Sequence, residues 1–266
     1  MQFTPQLDHL LGRGHYAEVF RASTTEGVVA LKVLHERYAA VKPFVAFFDR
    51  EAEALSSLRH PLFPDLRGTG SIPSRLGPRP WLALELREGR APEVGTAMEP
   101  ARLVALALAL LDGLASLHAV GLLHRDLHPR NLLLTESGGV TLLDLGNVWF
   151  LPGSLRDDLA SGEEPRLGSP ETMSPEQFLG EAAAFGPATD LYGLGCTLLA
   201  LLRGGWHFSE RRFPLLQAAH LDEKADWREM RGDPLERWVL GLVRRDPAER
   251  PVNAAAAAAS LRAIAN

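Results

Sequence analysis

The sequence predicts an α+β fold, with a small strand-rich first part and a larger, mainly helical second part. Residues 28–34 and 81–86 are β-branched or apolar runs of strand length. One helical pattern, over residues 43–58, lies between them. Beyond residue 90 the long apolar runs, such as 188–202, have helical length. With 266 residues, 46% of them apolar, the chain can form one large domain or two small lobes.

The first strands are joined by a glycine-bearing turn. Residues 7–13 alternate weakly between apolar and polar and lead into the turn with Gly12 and Gly14. Glycines let a backbone approach phosphate oxygens closely. Ala17 stands where a G-x-G-x-x-G pattern has its third glycine, so an ordinary hairpin is the alternative interpretation at this point.

A lysine and a glutamate stand where apolar residues are expected. Lys32 lies in the strand predicted over 28–34, and Glu51 lies within the apolar stripe of the helix predicted over 43–58, which begins with Pro43. A buried charge is costly unless it is paired. We therefore predict an ion pair between Lys32 and Glu51.

The junction between the two parts falls where residues 87–90 break the strand pattern, giving domains 1–86 and 87–266. Short strands and a loop are expected over 61–80, and a hairpin around Gly138 and Gly139 presents Asp144 at its exit. Residues 148–175 form a long irregular segment. Helices are predicted over 100–120, 188–202, 235–243 and 253–264.

Charge and composition argue against several classes of protein. The net charge is −5 and there is no basic block, which argues against nucleic acid as a partner. The single cysteine, Cys196, can form no internal disulfide, as in a reducing compartment. The N-terminus lacks the features of a signal peptide, and the longest apolar run, 103–111, is shorter than the roughly 20 residues that span a bilayer. We expect a cytoplasmic protein without a membrane span.

The second part contains a dense run of polar functional groups. It reads His124-Arg125-Asp126-Leu127-His128-Pro129-Arg130-Asn131, and Asp144-Leu145-Gly146 follows. This spacing is that of the kinase H-R-D-L-x-x-x-N and D-F-G motifs. Over about residues 7–265 the chain resembles the eukaryotic-like (Hanks-type) Ser/Thr protein kinases found in bacteria. The remaining motifs occur in family order: Gly12 and Gly14, Val29-Ala30-Leu31-Lys32, Glu51, Ser174-Pro175-Glu176, Asp190 and Arg250.

The resemblance implies a bilobal kinase fold and an ATP site. Lys32 would hold the α- and β-phosphates and be fixed by Glu51. Asp126 would orient the substrate hydroxyl and accept its proton, while Asn131 and Asp144 would hold Mg²⁺ (or Mn²⁺). Further cofactor contacts are implied for Gly12 and Gly14 at the phosphates, for Leu11, Val19, Ala30 and Leu133 around the adenine, and for Glu85 and Arg87 at its edge, behind Leu84.

Other implied contacts are structural or regulatory. Arg250 would pair with Glu176, and Asp190 would brace the catalytic loop. Arg125 would meet a phosphate on Ser161, or a nearby carboxylate (Glu163 or Glu164), and so order the segment 144–176. Autophosphorylation would supply such a phosphate.

His128 replaces the lysine that contacts the γ-phosphate in Ser/Thr kinases, and a histidine carries full charge only when it is protonated. This departure leaves two alternatives beside a Ser/Thr kinase acting on protein substrates. One is a pseudokinase-like nucleotide-binding scaffold. The other is a small-molecule kinase of the aminoglycoside or choline type, which shares the H-x-D-L-H-P-x-N form but lacks the Ser174-Pro175-Glu176 segment and its arginine partner. The sequence identifies neither the substrate nor the oligomeric state.

Overall fold

The computed structural model describes residues 6–154, 166–206, 213–222 and 233–265. The chain forms two compact units, Met1–Glu88 with Leu143–Gly146, and Gly89–Leu142 with Asn147–Asn266. The first unit contains the main sheet and one α-helix, and the other α-helices of the described residues lie in the second. The predicted α+β class is therefore confirmed.

The first unit is built on a five-stranded antiparallel sheet in the order β1-β2-β3-β5-β4. The strands are β1 (Gln6–Arg13), β2 (Ala17–Thr24), β3 (Gly27–Leu34), β4 (Leu66–Ile72) and β5 (Arg79–Glu85). One side of the sheet carries a buried apolar cluster of Ala22, Val29, Leu31, Val33, Trp81 and Ala83. Alternation places Lys32 on the other side, where its cross-strand neighbours are Val19 and Leu82.

Helix α1 (Lys42–Ser57) begins with Pro43 in its first turn, as the sequence predicts. Its buried residues are Phe47, Phe48, Glu51, Ala54 and Leu55. Phe44 lies one turn before Phe48 but is only half-buried. Its ring stacks on that of Tyr38, with centroids 4.2 Å apart.

The second unit is mainly helical. Its helices are α2 (Pro100–Ala119), α3 (Pro175–Leu179), α4 (Pro187–Arg203), α5 (Phe213–Leu221), α6 (Pro234–Leu242) and α7 (Ala254–Ala265). Two small antiparallel pairs complete it, β6 (Leu122–Leu123) with β9 (Trp149–Phe150), and β7 (Leu132–Leu134) with β8 (Val140–Leu142). Helix α2 packs against α4 and α7. Helices α3 and α5 lie outside the helices that the sequence predicts.

Helix α2 is the one described helix that is long and apolar enough to cross a membrane. The expectation from the run 103–111 overlooked it, because Asp112 interrupts the run but not the helix. Leu103, Leu110 and Leu114 are at most 1% exposed inside the unit. Core helices of this kind meet the same criterion, so α2 does not show a membrane span.

Candidate active site

Three charged side chains meet in the first unit. The Lys32 ammonium on β3 lies 2.6 Å from Oε2 of Glu51 on α1 and 2.8 Å from Oδ1 of Asp144. The predicted ion pair between Lys32 and Glu51 is therefore present. Lys32 and Glu51 are almost fully buried, whereas the Asp144 side chain keeps 31% of its exposure.

The pKa values in this trio follow from burial and mutual attraction. Burial opposes the charge of Lys32, but the Asp144 and Glu51 carboxylates outweigh it and hold the pKa of Lys32 well above its ordinary value. Burial raises the pKa of Glu51 to about 7, against the opposing effect of Lys32. Burial would also raise the pKa of Asp144, but Lys32 and the hydrogen bonds from Gly146 and Tyr16 keep it below its ordinary value. Asp144 is thus the carboxylate that stays ionised at neutral pH.

Tyr16, which the motif comparison did not single out, also contacts this trio. Its hydroxyl donates to Oδ1 of Asp144 at 3.1 Å, and the Lys32 ammonium lies 5.5 Å from its ring centroid. A Cβ on Gly146 would come within 2.7 Å of the Tyr16 hydroxyl. A side chain at Gly146 would therefore displace the Tyr16 hydroxyl from this position.

The residues proposed for nucleotide contact in the first unit surround Lys32 in the sheet. Val19, Ala30 and Leu84 lie on the same side as Lys32, because Val19 pairs with Lys32 and Leu84 pairs with Ala30. Leu11 is 45% exposed. The Gly14 amide donates to the Ala17 carbonyl at 2.8 Å in the turn between β1 and β2, while a Cβ on Gly12 would meet no atom within 4 Å.

The segment after β5 is held by an ion pair between Arg87 and Glu85 at 2.9 Å. The Glu85 carboxylate also accepts from the Asp65 amide at 3.2 Å. These contacts fix the side chains at the proposed adenine edge. Leu133, the remaining proposed adenine contact, is half-buried on β7 of the second unit.

Asp190 on α4 braces the catalytic loop of the second unit. Its two oxygens accept from the backbone amides of His124 at 2.9 Å and Arg125 at 2.8 Å, and from the His118 ring at 2.8 Å. This is the contact that the resemblance implies for Asp190. Arg125 has φ 62°, a strained conformation for a non-glycine residue, and the Asp190 hydrogen bonds hold it there. Burial would raise the pKa of Asp190, but His118 and the loop amides keep it lowered.

Asp126 is oriented by hydrogen bonds to both carboxylate oxygens. Oδ1 accepts from the Ser169 amide at 2.8 Å. Oδ2 accepts from the side-chain amides of Asn131 and Asn147, each at 3.2 Å. Asn131 also donates to the Asp126 carbonyl at 2.9 Å. Asn147 is a contact that sequence reasoning missed, because no motif marks the position after Asp144-Leu145-Gly146.

His128, in the same loop as Asp126, is buried and is held from two sides. Its Nδ1 accepts from the backbone amide of Arg130 at 3.1 Å, which caps the short turn Pro129–Asn131. Its ring packs against Trp206, with centroids 5.0 Å apart. The ring therefore stabilises the loop in addition to any contact with phosphate.

Arg125 is buried between aromatic rings. Its guanidinium carbon lies 4.8 Å from the Trp149 ring centroid and 5.6 Å from that of Phe185, and its Nε donates to the Asn147 carbonyl at 3.0 Å. Ser161, Glu163 and Glu164, which we expected to meet Arg125, lie outside the described residues.

The ion pair predicted between Arg250 and Glu176 is present and fully buried. The guanidinium contacts both carboxylate oxygens, at 2.8 and 3.0 Å. The Ser174 side chain begins α3 as a capping box with Gln177. The Ser174-Pro175-Glu176 segment is thus an ordered structural element.

Asn131 and Asp144 each carry an oxygen of the kind that a hard divalent cation prefers. Asn131 uses its side-chain nitrogen on Asp126, so its Oδ1 is the atom left for a metal. At Asp144, Oδ2 accepts, among the described residues, only a long hydrogen bond of 3.4 Å from Tyr16. Amide and carboxylate oxygens are ligands that Mg²⁺ and Mn²⁺ accept. The described residues contain no group of three or more His, Cys, Asp or Glu side chains that could hold a metal without a substrate.

Comparison with known proteins decides the family. The model of the protein kinase domain matches residues 6–260. The chain belongs to the protein kinase domain family. The family implies the use of ATP and a divalent metal.

Several bacterial kinases are similar to this protein kinase domain. The serine/threonine-protein kinase PknD of Mycobacterium tuberculosis is 30% identical over 266 residues, covering 95% of the chain and 38% of PknD. The serine/threonine-protein kinase pkn3 of Myxococcus xanthus is 30% identical over 276 residues, covering 97% of the chain and 49% of pkn3. The probable serine/threonine-protein kinase SCO3848 of Streptomyces coelicolor is 32% identical over 203 residues, covering 74% of the chain and 30% of SCO3848. The chain thus spans less than half the length of these relatives.

Proposed function

We propose that the protein phosphorylates serine and threonine hydroxyls of proteins, with ATP as the phosphoryl donor. The observation that carries the proposal is the Asp126 carboxylate, held by three hydrogen bonds at the end of a braced loop. A base that is positioned in this way can orient a hydroxyl for in-line attack. The names of the similar bacterial kinases support serine and threonine as acceptors.

The acceptor oxygen attacks the γ-phosphorus, the bond from that phosphorus to the β,γ-bridging oxygen breaks, and ADP leaves. Asp126 takes the proton of the acceptor hydroxyl. Lys32, held by Glu51, stabilises the negative charge of the α- and β-phosphates. The open space at Gly12 leaves room for a phosphate beside the backbone.

Asn131 and Asp144 would hold the divalent cations, which we propose to be Mg²⁺. When bound, the metal neutralises the charge of the phosphates. The raised pKa of Lys32 keeps the ammonium charged, and the lowered pKa of Asp144 keeps its carboxylate charged, at neutral pH. Both groups are therefore in the state that binding of Mg²⁺-ATP needs.

Small-molecule kinases are a weaker alternative. The capped start of α3 and the buried ion pair of Glu176 with Arg250 belong to the Ser174-Pro175-Glu176 segment. Small-molecule kinases of the aminoglycoside and choline type lack this segment and its arginine partner. The scaffold alternative rests on His128 alone. Cytoplasmic location and autophosphorylation are further proposals, which cell fractionation and phosphosite mapping would test.

The decisive experiment incubates the protein with Mg²⁺-ATP and casein and reads both by intact mass. We expect added phosphate on casein with the wild type and at least a hundredfold slower transfer with Asp126→Asn. ATP binding without transfer by the wild type would instead support the scaffold alternative. Transfer to an aminoglycoside or choline but not to casein would support the small-molecule alternative.

A further inference from the structure

We infer that Asn147 is a positioning residue for Asp126, and that it determines which carboxylate oxygen acts as the base. The inference rests on the proposed function. Asn147 donates through Nδ2 to Oδ2 of Asp126 at 3.2 Å. Because an ionised carboxylate can only accept hydrogen bonds, the Asn147 group facing it must be the NH₂ group.

The two oxygens of Asp126 are not equivalent. Each oxygen of an ionised carboxylate offers two lone pairs. Oδ2 has two donors, Asn131 and Asn147, and both of its lone pairs are used. Oδ1 accepts only from the Ser169 amide among the described residues, at 2.8 Å, and keeps one lone pair. The remaining lone pair on Oδ1 is the one that takes the proton of the acceptor hydroxyl.

Asn131 alone cannot fix the plane of the Asp126 carboxylate. Its Oδ1 is the atom proposed to hold metal, and its Nδ2 is shared between the carbonyl and the carboxylate of Asp126. Without Asn147, Oδ2 would also have a vacant lone pair, and the carboxylate could rotate. The second amide therefore fixes the plane of the carboxylate independently of the metal.

Asn147 is itself anchored through its backbone. Its carbonyl accepts from Nε of Arg125 at 3.0 Å, and Arg125 is 3% exposed with its guanidinium next to Trp149 and Phe185. A side chain of only two rotatable bonds then reaches Asp126 from a fixed backbone. Substituting the Asn147 side chain leaves the carbonyl contact to Arg125 intact, so the amide can be tested by itself.

The test compares Asn147→Leu, Asn147→Asp and Asn147→Gln with wild type in steady-state transfer of phosphate from ATP to casein. Asn147→Leu should lower kcat about 10- to 100-fold, the effect of losing one hydrogen bond to a charged group, with KM for ATP and casein within about twofold. Asn147→Asp should lose at least as much because two carboxylates would face each other. Asn147→Gln, which keeps the amide, should retain more activity than Asn147→Leu. Gln217→Leu, which removes a half-buried amide from α5, should leave the rates unchanged.

A double-mutant cycle separates positioning from a general structural effect. If Asn147 acts through Asp126, Asn147→Leu should cause no further loss in the Asp126→Asn background. A full multiplicative loss in that background, wild-type kcat in Asn147→Leu, or a change in KM for ATP alone would overturn the inference. Should Asn147→Leu not fold, as judged by circular dichroism, Asn147→Asp and Asn147→Gln carry the same comparison. A wild type that transfers no phosphate to casein would refute the proposed function, and the inference with it.

Discussion

At the scale of single residues, the first unit places one buried cation between two carboxylates of unequal exposure. Glu51 is 1% exposed and distant from water, whereas Asp144 is partly exposed and accepts additional hydrogen bonds from Tyr16 and Gly146. Desolvation therefore acts most strongly on Glu51, and its pKa rises while that of Asp144 falls. Glu51 fixes the lysine, and Asp144 stays charged, as its proposed role as a metal ligand requires.

The raised pKa of Glu51 predicts a pH-dependent stability. Its folded-state pKa of about 7 lies above the ordinary value of 4.5, so the folded protein binds more protons than the unfolded chain between these pH values. The Glu51 contribution to the free energy of unfolding is fully present below pH 4.5 and is lost as the pH rises through 7. It amounts to at most about 3 kcal/mol.

Urea unfolding at pH 5 and pH 8 measures this contribution. The drop in unfolding free energy between pH 5 and pH 8 should be smaller in Glu51→Gln than in the wild type. Glu53→Gln, on the same helix but only half-buried, should behave like the wild type. An identical drop in Glu51→Gln and the wild type would contradict the raised pKa.

Sequence motifs predicted the site residues that occur at fixed spacings and no others. Lys32, Asp126 and Asp144 each belong to a short pattern. Tyr16 and Asn147 were missed because their partners lie 128 and 21 residues away, and only tertiary folding brings them together. A tyrosine or an asparagine in a loop has no pattern that would distinguish it from an ordinary turn residue.

At the scale of elements, the strands and the strongly apolar helices were predictable because most of their residues are apolar and therefore buried. Helix α5 was not, because Leu216 and His220 are its only buried residues, while Phe213 and Leu215 are nearly half-exposed. A helix without a continuous apolar stripe gives no periodic signal. Helix α3 has five residues, too few to show a period.

The contact of α4 with α6 depends on a helix surface without a side chain at Gly195. A Cβ there would lie 2.6 Å from Cγ1 of Val243 and 2.8 Å from Cβ of Leu242. Gly195→Ala should therefore destabilise the protein by about 1–3 kcal/mol through overpacking.

Gly241 on α6 is a matched control, since a Cβ there would meet no atom within 4 Å. Gly241→Ala should stabilise by about 0.5–1 kcal/mol through helix propensity. Urea unfolding of both variants measures the two changes, and a Gly195→Ala variant as stable as the wild type would disprove the close packing.

At the scale of the whole molecule, the two units obtain their order differently. The first relies on a continuous ladder of antiparallel strands, in which each strand pairs with a neighbour. In the second, single polar side chains join elements that are far apart in sequence. Asp190 binds two amides of the catalytic loop 66 and 65 residues before it, and Gln177 donates to the Arg125 and Leu167 carbonyls. Buried polar groups of this kind have few alternative partners, so they specify one arrangement of the helices.

Arg250 is another buried polar side chain that joins distant elements, and its removal should destabilise the second unit. Its guanidinium binds both Glu176 oxygens and the carbonyls of Arg244, Arg245 and Ala188, so one side chain joins α3, the start of α4 and the segment after α6. Arg250→Met should cost about 3–5 kcal/mol, because Glu176 is left as a buried charge without its cation. Arg250→Lys should recover only part of this loss, since an ammonium cannot reach carboxylate and carbonyls in a planar fork. Adding Glu176→Gln to Arg250→Met should restore stability relative to Arg250→Met alone, because the uncompensated charge is gone. Thermal unfolding of the four proteins measures the order of their stabilities, and a double variant no more stable than Arg250→Met would show that the lost carbonyl contacts, not the buried charge, cause the destabilisation.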